Sequence, residues 1–133
     1  MIGIVCLDLK DGMFFNNRRQ SKDRYVIRDI LDMIKDKNLF MTEYSYQMFQ
    51  GAKANICITT DDYKEAGEED YCFFETEIMN ENKVIKYIVY RWDKVYPSDY
   101  KFNLSKWQLV STLEFQGYSH EKIVKEVYIR DEC

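Results

Sequence analysis

The most constraining feature of the sequence is a run of six apolar residues, IGIVCL, at residues 2–7. A strand of this length without polar alternation is typical of a strand buried on both faces, as in the middle of a parallel sheet. Parallel neighbours need crossover connections of a dozen or more residues, which are usually helices. The run therefore predicts an α/β domain whose crossovers are supplied by the segments that follow.

The first crossover is predicted at residues 23–37, where apolar side chains recur at helical spacing. Ser21 is a candidate N-cap for this helix, and Asn38 is a candidate terminator. The polar residues 8–21 predict an irregular loop between the first strand and this helix. The helical spacing rests on Val26, Ile27, Ile30, Leu31 and Ile34.

The rest of the chain predicts further strands with short helices between them. Gly51 is expected to close a short helix, SYQMFQ, and Gly67 to end a capped helical turn, TDDYKEAG. The only proline lies in YPSDY, which predicts a turn. Strands are predicted at 39–41, 54–59, 70–75, 84–92 and 107–115.

The last segment, HEKIVKEVYIR, has apolar residues that fit either a helix or a strand. Gly117 in the preceding turn and the β-branched enrichment favour a hairpin strand within 119–130. The predicted fold is thus an α/β single domain over residues 1–133. It has a mixed, mostly parallel sheet, flanking helices and an antiparallel C-terminal hairpin.

Composition excludes some classes of protein. The formal charge of -4 and a pI near 5.1 disfavour nucleic-acid binding through overall charge. The sequence contains no run of about 18 apolar residues, so it predicts no membrane span. The first residues lack the features of a signal peptide. Cys6, Cys57 and Cys72 lie in apolar runs, where reduced core cysteines are expected. We therefore expect a cytoplasmic protein.

One segment, NNRRQSKDR at 16–24, carries four basic residues against one acid in this acidic chain. It follows the central strand, so it should lie over the carboxyl edge of the sheet, where ligands bind in open α/β folds. Guanidinium groups there predict a small anionic ligand, bearing phosphate or carboxylate. A solvated patch neutralised by surface acids is the alternative. The predicted ligand-binding residues are Arg18, Arg19, Gln20, Asp23, Arg24 and Tyr44.

Three groups are candidates for acid–base catalysis. Glu43 and Glu75 follow predicted strands at the ligand edge, although strand-end acids are often structural. His120 is the only histidine, and an unperturbed imidazole suits proton transfer near neutral pH. The alternative is that His120 is a structural residue in a turn, with no catalytic role. Asp23 is expected to orient Arg19 or Arg24 by pairing, and Asp8 to cap the loop.

The order of the segments resembles dihydrofolate reductase. IGIVCLDLKDGM with the next loop and helix resembles the start of that family, and LFMTEYSYQMF resembles its second strand and next helix. ANICIT resembles the third strand, VYPSDYKFNLSKW a turn that leads to a tryptophan, and SHEKIVKEVYIR the terminal strand. The resemblance covers almost the whole chain and implies a reductase-like fold.

Departures from that family bear on its cofactor. Where the family has a diglycine near the cofactor pyrophosphate, this chain reads CFFETE, and Glu75 would repel phosphate. Where the family has an arginine for the cofactor phosphate, this chain has Glu43. The family's helix carboxylate maps to Asp23 or Asp29, depending on one gap. We therefore expect no NADPH cofactor and no NADPH-dependent reduction; a divergent but active reductase is the alternative.

The chain also resembles short bacterial proteins that share RRQSxDR and SHEK and are often labelled ribonuclease Z. A two-zinc hydrolase needs several histidines together with aspartates, and this chain has a single histidine. Zinc-dependent ribonuclease activity is excluded on that count. The sequence contains no phosphate loop and no recognisable nucleophile elbow. An acid–base enzyme acting on a phosphate ester or nucleotide and a non-catalytic interaction module stay open, as does the oligomeric state.

Overall fold

A computed structural model describes residues 1–60 and 62–131, which form a seven-stranded sheet, a three-stranded sheet and two α-helices. The helices are α1 (Arg24–Ile34) and α2 (Glu43–Tyr46), and a 3-10 turn lies at Glu81–Lys83. The strands are β1 (Ile2–Leu7), β2 (Gly12–Phe15), β3 (Arg18–Arg19), β4 (Asn38–Met41), β5 (Asn55–Ile58), β6 (Tyr71–Phe73), β7 (Lys86–Arg91), β8 (Tyr100–Lys101), β9 (Trp107–Phe115) and β10 (Ile123–Arg130).

The large sheet has the strand order β5-β4-β6-β1-β7-β10-β9. Strand β1 is central and runs parallel to both β6 and β7, as its unbroken apolar run predicts. Strand β10 runs antiparallel to β7 and β9, so the C-terminal hairpin is confirmed. The predicted α/β fold, a mixed and mostly parallel sheet with flanking helices, is confirmed.

Both faces of β1 are buried. Val5 and Leu7 belong to one apolar cluster, which contains the aromatic side chains of Tyr87 and Trp107. Ile4 points to the opposite face and belongs to a second cluster that includes the buried side of α1. The carboxyl edge of the central strands therefore stands between two packed layers.

Helix α1 is shorter than predicted, and its cap differs. Asp23, not Ser21, is the N-cap, because its carboxylate accepts the Tyr25 backbone N–H at 2.8 Å. The helix ends before Lys35, whose φ of 53° is incompatible with a right-handed helix. Asn38 therefore begins β4 rather than ending the helix.

The predicted irregular loop at 8–21 contains a β-hairpin instead. Strands β2 and β3 pair across a two-residue turn, Asn16 and Asn17, whose φ angles are 53° and 59°. Two consecutive residues in the left-handed region define a type I′ turn, whose twist matches that of a hairpin. The two asparagines were the sequence signal for it. Strand β8 pairs with β2 and completes this small sheet. The basic segment thus begins in the turn, and its Arg18 and Arg19 form β3.

Two predicted helices are wrong in detail. The second helix begins earlier than SYQMFQ, because Thr42 accepts the Ser45 backbone N–H and caps α2. The predicted helical turn TDDYKEAG is not helical at 60 or over 62–67, and its remaining residue lies outside the described ranges. Tyr63 has φ of 51°, which interrupts any right-handed helix there.

Among the described helices, none is long and apolar enough to cross a membrane. Cys6, Cys57 and Cys72 are free thiols.

Candidate functional site

Arg19 forms a bidentate ion pair with Glu75, which lies two residues beyond the end of β6. Arg19 Nε lies 2.7 Å from Glu75 Oε2, and Nη2 lies 2.9 Å from Oε1. The two side chains are only 17% and 9% exposed. Ser45 in α2 donates a further hydrogen bond of 2.8 Å to Glu75 Oε1. The charge of Arg19 is therefore neutralised within the protein.

Tyr44 holds the other side of Arg19. The guanidinium carbon lies 4.2 Å from the centre of the Tyr44 ring, and Nη2 donates to the Tyr44 carbonyl at 3.3 Å. Burial lowers the pKa of Arg19, but the hydrogen bonds and negative charge of Glu75 outweigh this, so the net pKa is raised. Arg19 is a fixed cation within the site.

Arg18 has a different environment from its neighbour. It is exposed and lines an open cavity of about 440 Å³ together with Phe15, Arg19, Tyr96 and Pro97. Among residues 1–60 and 62–131, no acid lies within ion-pair distance of Arg18. Arg18 therefore presents an unneutralised guanidinium group to this cavity.

Asp8 holds two residues that line this cavity, Gln20 and Tyr96. Its Oδ1 accepts the backbone N–H groups of Lys10 and Gly12 at 2.8 Å each, and its Oδ2 accepts Tyr96 N–H and Gln20 Nε2 at 3.0 Å each. Burial raises the pKa of Asp8, but these four hydrogen bonds outweigh the effect of burial, so the net pKa is lowered. Asp8 thus caps the loop, and Gln20 is engaged in fixing it. Gln20 Oε1 is buried without a partner among the described residues.

His120 lies in a chain of hydrogen bonds that joins three parts of the sequence. Its Nδ1 lies 2.8 Å from Asp23 Oδ2, and its Nε2 lies 2.8 Å from Ser21 Oγ. Tyr96 Oη is also 3.3 Å from Nε2. The imidazole stacks on Trp92, with the ring centres 4.6 Å apart. Because a carboxylate can only accept, Nδ1 carries the proton, and in the neutral ring Nε2 is left to accept from Ser21.

Asp23 is buried and accepts hydrogen bonds from every side. In addition to His120, it accepts the backbone N–H groups of Tyr25, Tyr118 and Ser119 at 2.8–2.9 Å. Burial raises the pKa of Asp23, but these hydrogen bonds lower it well below the ordinary value. The carboxylate is therefore ionised. The expectation that Asp23 orients Arg19 or Arg24 is wrong, because its oxygens are taken by other groups.

Arg24 faces the other side of this network. Its guanidinium carbon lies 4.5 Å from the centre of the Tyr118 ring. A second open cavity, of about 450 Å³, is lined by Lys22, Arg24, Ile27 and Tyr118, among others. The basic segment therefore separates two cavities, with Arg18 on one and Arg24 on the other.

Glu43 is not brought into contact with this network. It is exposed in the first turn of α2. Of the three predicted acid–base groups, Glu75 is paired with Arg19 and also accepts from the Ser45 hydroxyl group. Among the described residues, His120 is not in an ion pair with a cation, and its Nε2 faces the Ser21 hydroxyl group. The catalytic roles of all three stay predictions.

Other chemistries find no support in the described residues. No group of three or more His, Cys, Asp or Glu side chains there is placed to hold a metal ion. Burial, and then the charge of Glu75, raises the pKa of the Cys6 thiol far above its ordinary value, so Cys6 is not a thiolate.

Sequence reasoning missed the hydroxyl group in this network. Ser21 was assigned as a helix cap, whereas Asp23 takes that role and Ser21 faces His120. Ninety-nine positions separate Ser21 from His120, and 97 separate Asp23 from it. No local motif reports such a pairing, so only the fold brings the three side chains together.

Comparison with solved structures supports the fold. A dihydrofolate reductase from Enterococcus faecalis, complexed with NADP(H) and RAB-propyl, superposes with a TM-score of 0.67. The alignment covers 98% of this chain and 96% of that one at 9% sequence identity. No family model matches the chain, and no curated protein matches its sequence. The fold is therefore dihydrofolate reductase-like, and the ribonuclease Z label is not supported.

Proposed function

We propose that this dihydrofolate reductase-like protein binds a small anionic ligand, bearing phosphate or carboxylate, through Arg18. One observation carries the proposal: Arg18 lines an open cavity of about 440 Å³ without a counter-ion among the described residues. A guanidinium binds carboxylate or phosphate through two parallel hydrogen bonds. The ligand supplies the negative charge that the cavity lacks.

The neighbouring side chains suit such a ligand. Arg19 lines the same cavity and is already held by Glu75, so it offers a fixed donor array without adding net charge. Phe15, which is 42% exposed, adds an apolar surface at the cavity. Asp99 accepts the Asn16 backbone N–H at 3.1 Å and is an acid near this rim. The ligand is therefore expected to bind on the Arg18 side of the cavity.

We further propose that the protein does not use NADPH. The side chains of Phe74 and Glu75 stand at the end of β6, where the family's diglycine approaches the cofactor, and Glu75 is an acid. The crevice beside Glu75 and Arg19 has a volume of only about 10 Å³. These residues do not fit a dinucleotide. The free thiols of Cys6, Cys57 and Cys72 support the further proposal that the protein is cytoplasmic.

Thermal-shift measurements with inorganic phosphate, pyrophosphate and citrate test the anion site. At ten times Kd a ligand stabilises by about 1.4 kcal/mol, which raises Tm by roughly 4–6 °C for a chain of this size. Arg18→Ala is expected to abolish the shift and leave the Tm of the free protein unchanged. The matched control is Arg28→Ala, which removes an exposed arginine that stacks on Tyr25.

Two outcomes would overturn the proposal. If none of the three anions stabilises the wild-type protein, the cavity does not bind small anions. If Arg28→Ala lowers the shift as much as Arg18→Ala does, the anions respond to general charge and not to this site.

NADPH binding is tested by fluorescence titration. Loss of two charge-assisted contacts, worth about 1.5–3 kcal/mol each, weakens Kd by at least about two decades. No saturable signal is expected at micromolar NADPH. Saturation in that range would refute the proposal that the cofactor is lost.

A further inference from the structure

The hydrogen-bond chain of Ser21, His120 and Asp23 lies beside the proposed anion site and does not include Arg18. From its geometry we infer that Ser21 is an activated nucleophile that hydrolyses an ester of a small acyl group. His120 is the general base and Asp23 the residue that positions it. The inference does not depend on anion binding at Arg18.

The distances suit these roles. A nucleophile and its base must lie within about 2.6–3.2 Å, with the base oriented by a third group. Ser21 Oγ lies 2.8 Å from His120 Nε2, and Asp23 Oδ2 lies 2.8 Å from Nδ1. The carboxylate fixes the tautomer in which Nε2 accepts the hydroxyl proton. The contact between His120 and Trp92 fixes the plane of the ring.

The alternative nucleophiles in this place are less suitable. The Cys6 thiol lines the same crevices, but burial holds it in its protonated form. Tyr96 Oη is 3.3 Å from Nε2, a longer and weaker hydrogen bond than that of Ser21. Ser21 is therefore the group that His120 can deprotonate.

The space around Ser21 limits the substrate. Ser21 lines two crevices of about 10 Å³ each, and each has room for about one water molecule. The adjacent residues Gln20 and Lys22 each line one of the two larger open cavities. Because each crevice holds about one water molecule, only a carbonyl oxygen or the attacking water has room there, and the rest of the substrate has to lie in one of the open cavities. This favours a small acyl group such as acetyl over a bulky one.

Arg19 lines the first crevice. Its Nε and Nη2 already donate to Glu75 and to the Tyr44 carbonyl, which leaves Nη1 as the donor for a reacting group. Its charge is balanced by Glu75, so it stabilises a developing oxyanion by hydrogen bonding and not by net charge. Arg19, as the hydrogen-bond donor, and Ser21, as the nucleophile, therefore line the same crevice.

The reaction proceeds in two balanced steps. Ser21 Oγ bonds to the ester carbonyl carbon as its proton passes to His120 Nε2. The bond from carbon to the alcohol oxygen then breaks, and the alcohol leaves with that proton. Water attacks the acyl-serine, gives its proton to Nε2, and releases the carboxylic acid as the proton returns to Ser21. The only co-reactant is water.

A fluorophosphonate probe tests the nucleophile directly. Ser21 Oγ should displace fluoride from phosphorus, and peptide mass spectrometry should find the adduct on Ser21. Hydrolysis of p-nitrophenyl acetate should fall roughly 10²–10⁴-fold in Ser21→Ala, as expected for loss of the nucleophile and its proton transfer. Ser105→Ala removes an exposed serine outside these crevices and should leave both readouts unchanged.

Asp23→Asn tests positioning, because it keeps the size of the side chain. A positioning role predicts a lower kcat for p-nitrophenyl acetate with an unchanged KM, while circular dichroism confirms that the variant is folded. If the probe does not label Ser21, or if hydrolysis survives Ser21→Ala in a folded protein, the three residues are a structural latch and the inference is wrong.

Discussion

Replacement of Asp23 by alanine removes the most highly connected side chain in the structure. The substitution deletes the N-cap of α1, which is typically worth about 1 kcal/mol. It also leaves the backbone N–H groups of Tyr118 and Ser119 without their acceptor, and His120 without its partner. Hydrogen bonds to a charged group contribute about 1.5–3 kcal/mol each.

The sum of these terms overstates the loss, because Tyr118 and Ser119 are exposed and water can reach their N–H groups. The cap in full and the three other contacts at their lower end give an upper bound of about 5.5 kcal/mol. Because water replaces part of the two exposed contacts, the expected loss is about 3–5 kcal/mol. For a chain of this size that corresponds to a fall in Tm of roughly 10–20 °C. Since small domains are stable by about 5–15 kcal/mol, the variant should still fold at low temperature.

Chemical denaturation followed by circular dichroism measures this loss. Asp32→Ala is the matched control, because Asp32 is an exposed aspartate of α1 outside this network, and it should change stability by no more than about 0.5 kcal/mol. If Asp23→Ala costs less than about 1 kcal/mol, the hydrogen bonds do not anchor the loop at 117–120 to the helix, and the reasoning about the network fails.

Three further predictions concern the same region. Because the folded protein lowers the pKa of Asp23, the stabilisation by its carboxylate should be complete above about pH 5 and lost as pH falls through the folded pKa; acid titration of wild type against Asp23→Asn measures it. Glu75→Ala should cost about 2–4 kcal/mol in denaturant, because it leaves Arg19 largely buried and unpaired, whereas Glu69→Ala, at an exposed ion pair, should be near neutral. Gly117→Ala should lower Tm by several degrees, because the new Cβ would lie 2.7 Å from Asp23 Oδ2.

Most of the fold could be predicted because the central strands of the large sheet are largely buried. An unbroken apolar run such as 2–7 has few other solutions, and helical spacing at 26–34 identifies the helix that covers it. The hairpin at β2 and β3 was missed because both strands are short and β3 consists of two arginines. Its signal was the pair Asn16 and Asn17, which favours a type I′ turn more strongly than their polarity favours a loop.

The candidate site was harder to predict than the fold. Sequence position placed Arg18 and Glu75 near the carboxyl edge, because the ends of parallel strands meet there. His120 was selected only as the single histidine. Which side chains pair with which is decided by packing between distant segments. Local charge suggested that Asp23 pairs with a nearby arginine, whereas the fold brings it to His120.

The arrangement of charges explains why a basic segment is present in an acidic chain. Glu75 neutralises Arg19 at the end of a buried strand, where an unpaired acid would be costly. Asp23 is held by backbone groups and by His120, so it does not neutralise the arginines beside it in sequence. Arg24 instead stacks on an exposed aromatic ring. Arg18 is left with its charge directed to an open cavity. This separation of structural from unneutralised charge supports the proposal that one short segment both completes the fold and binds an anion.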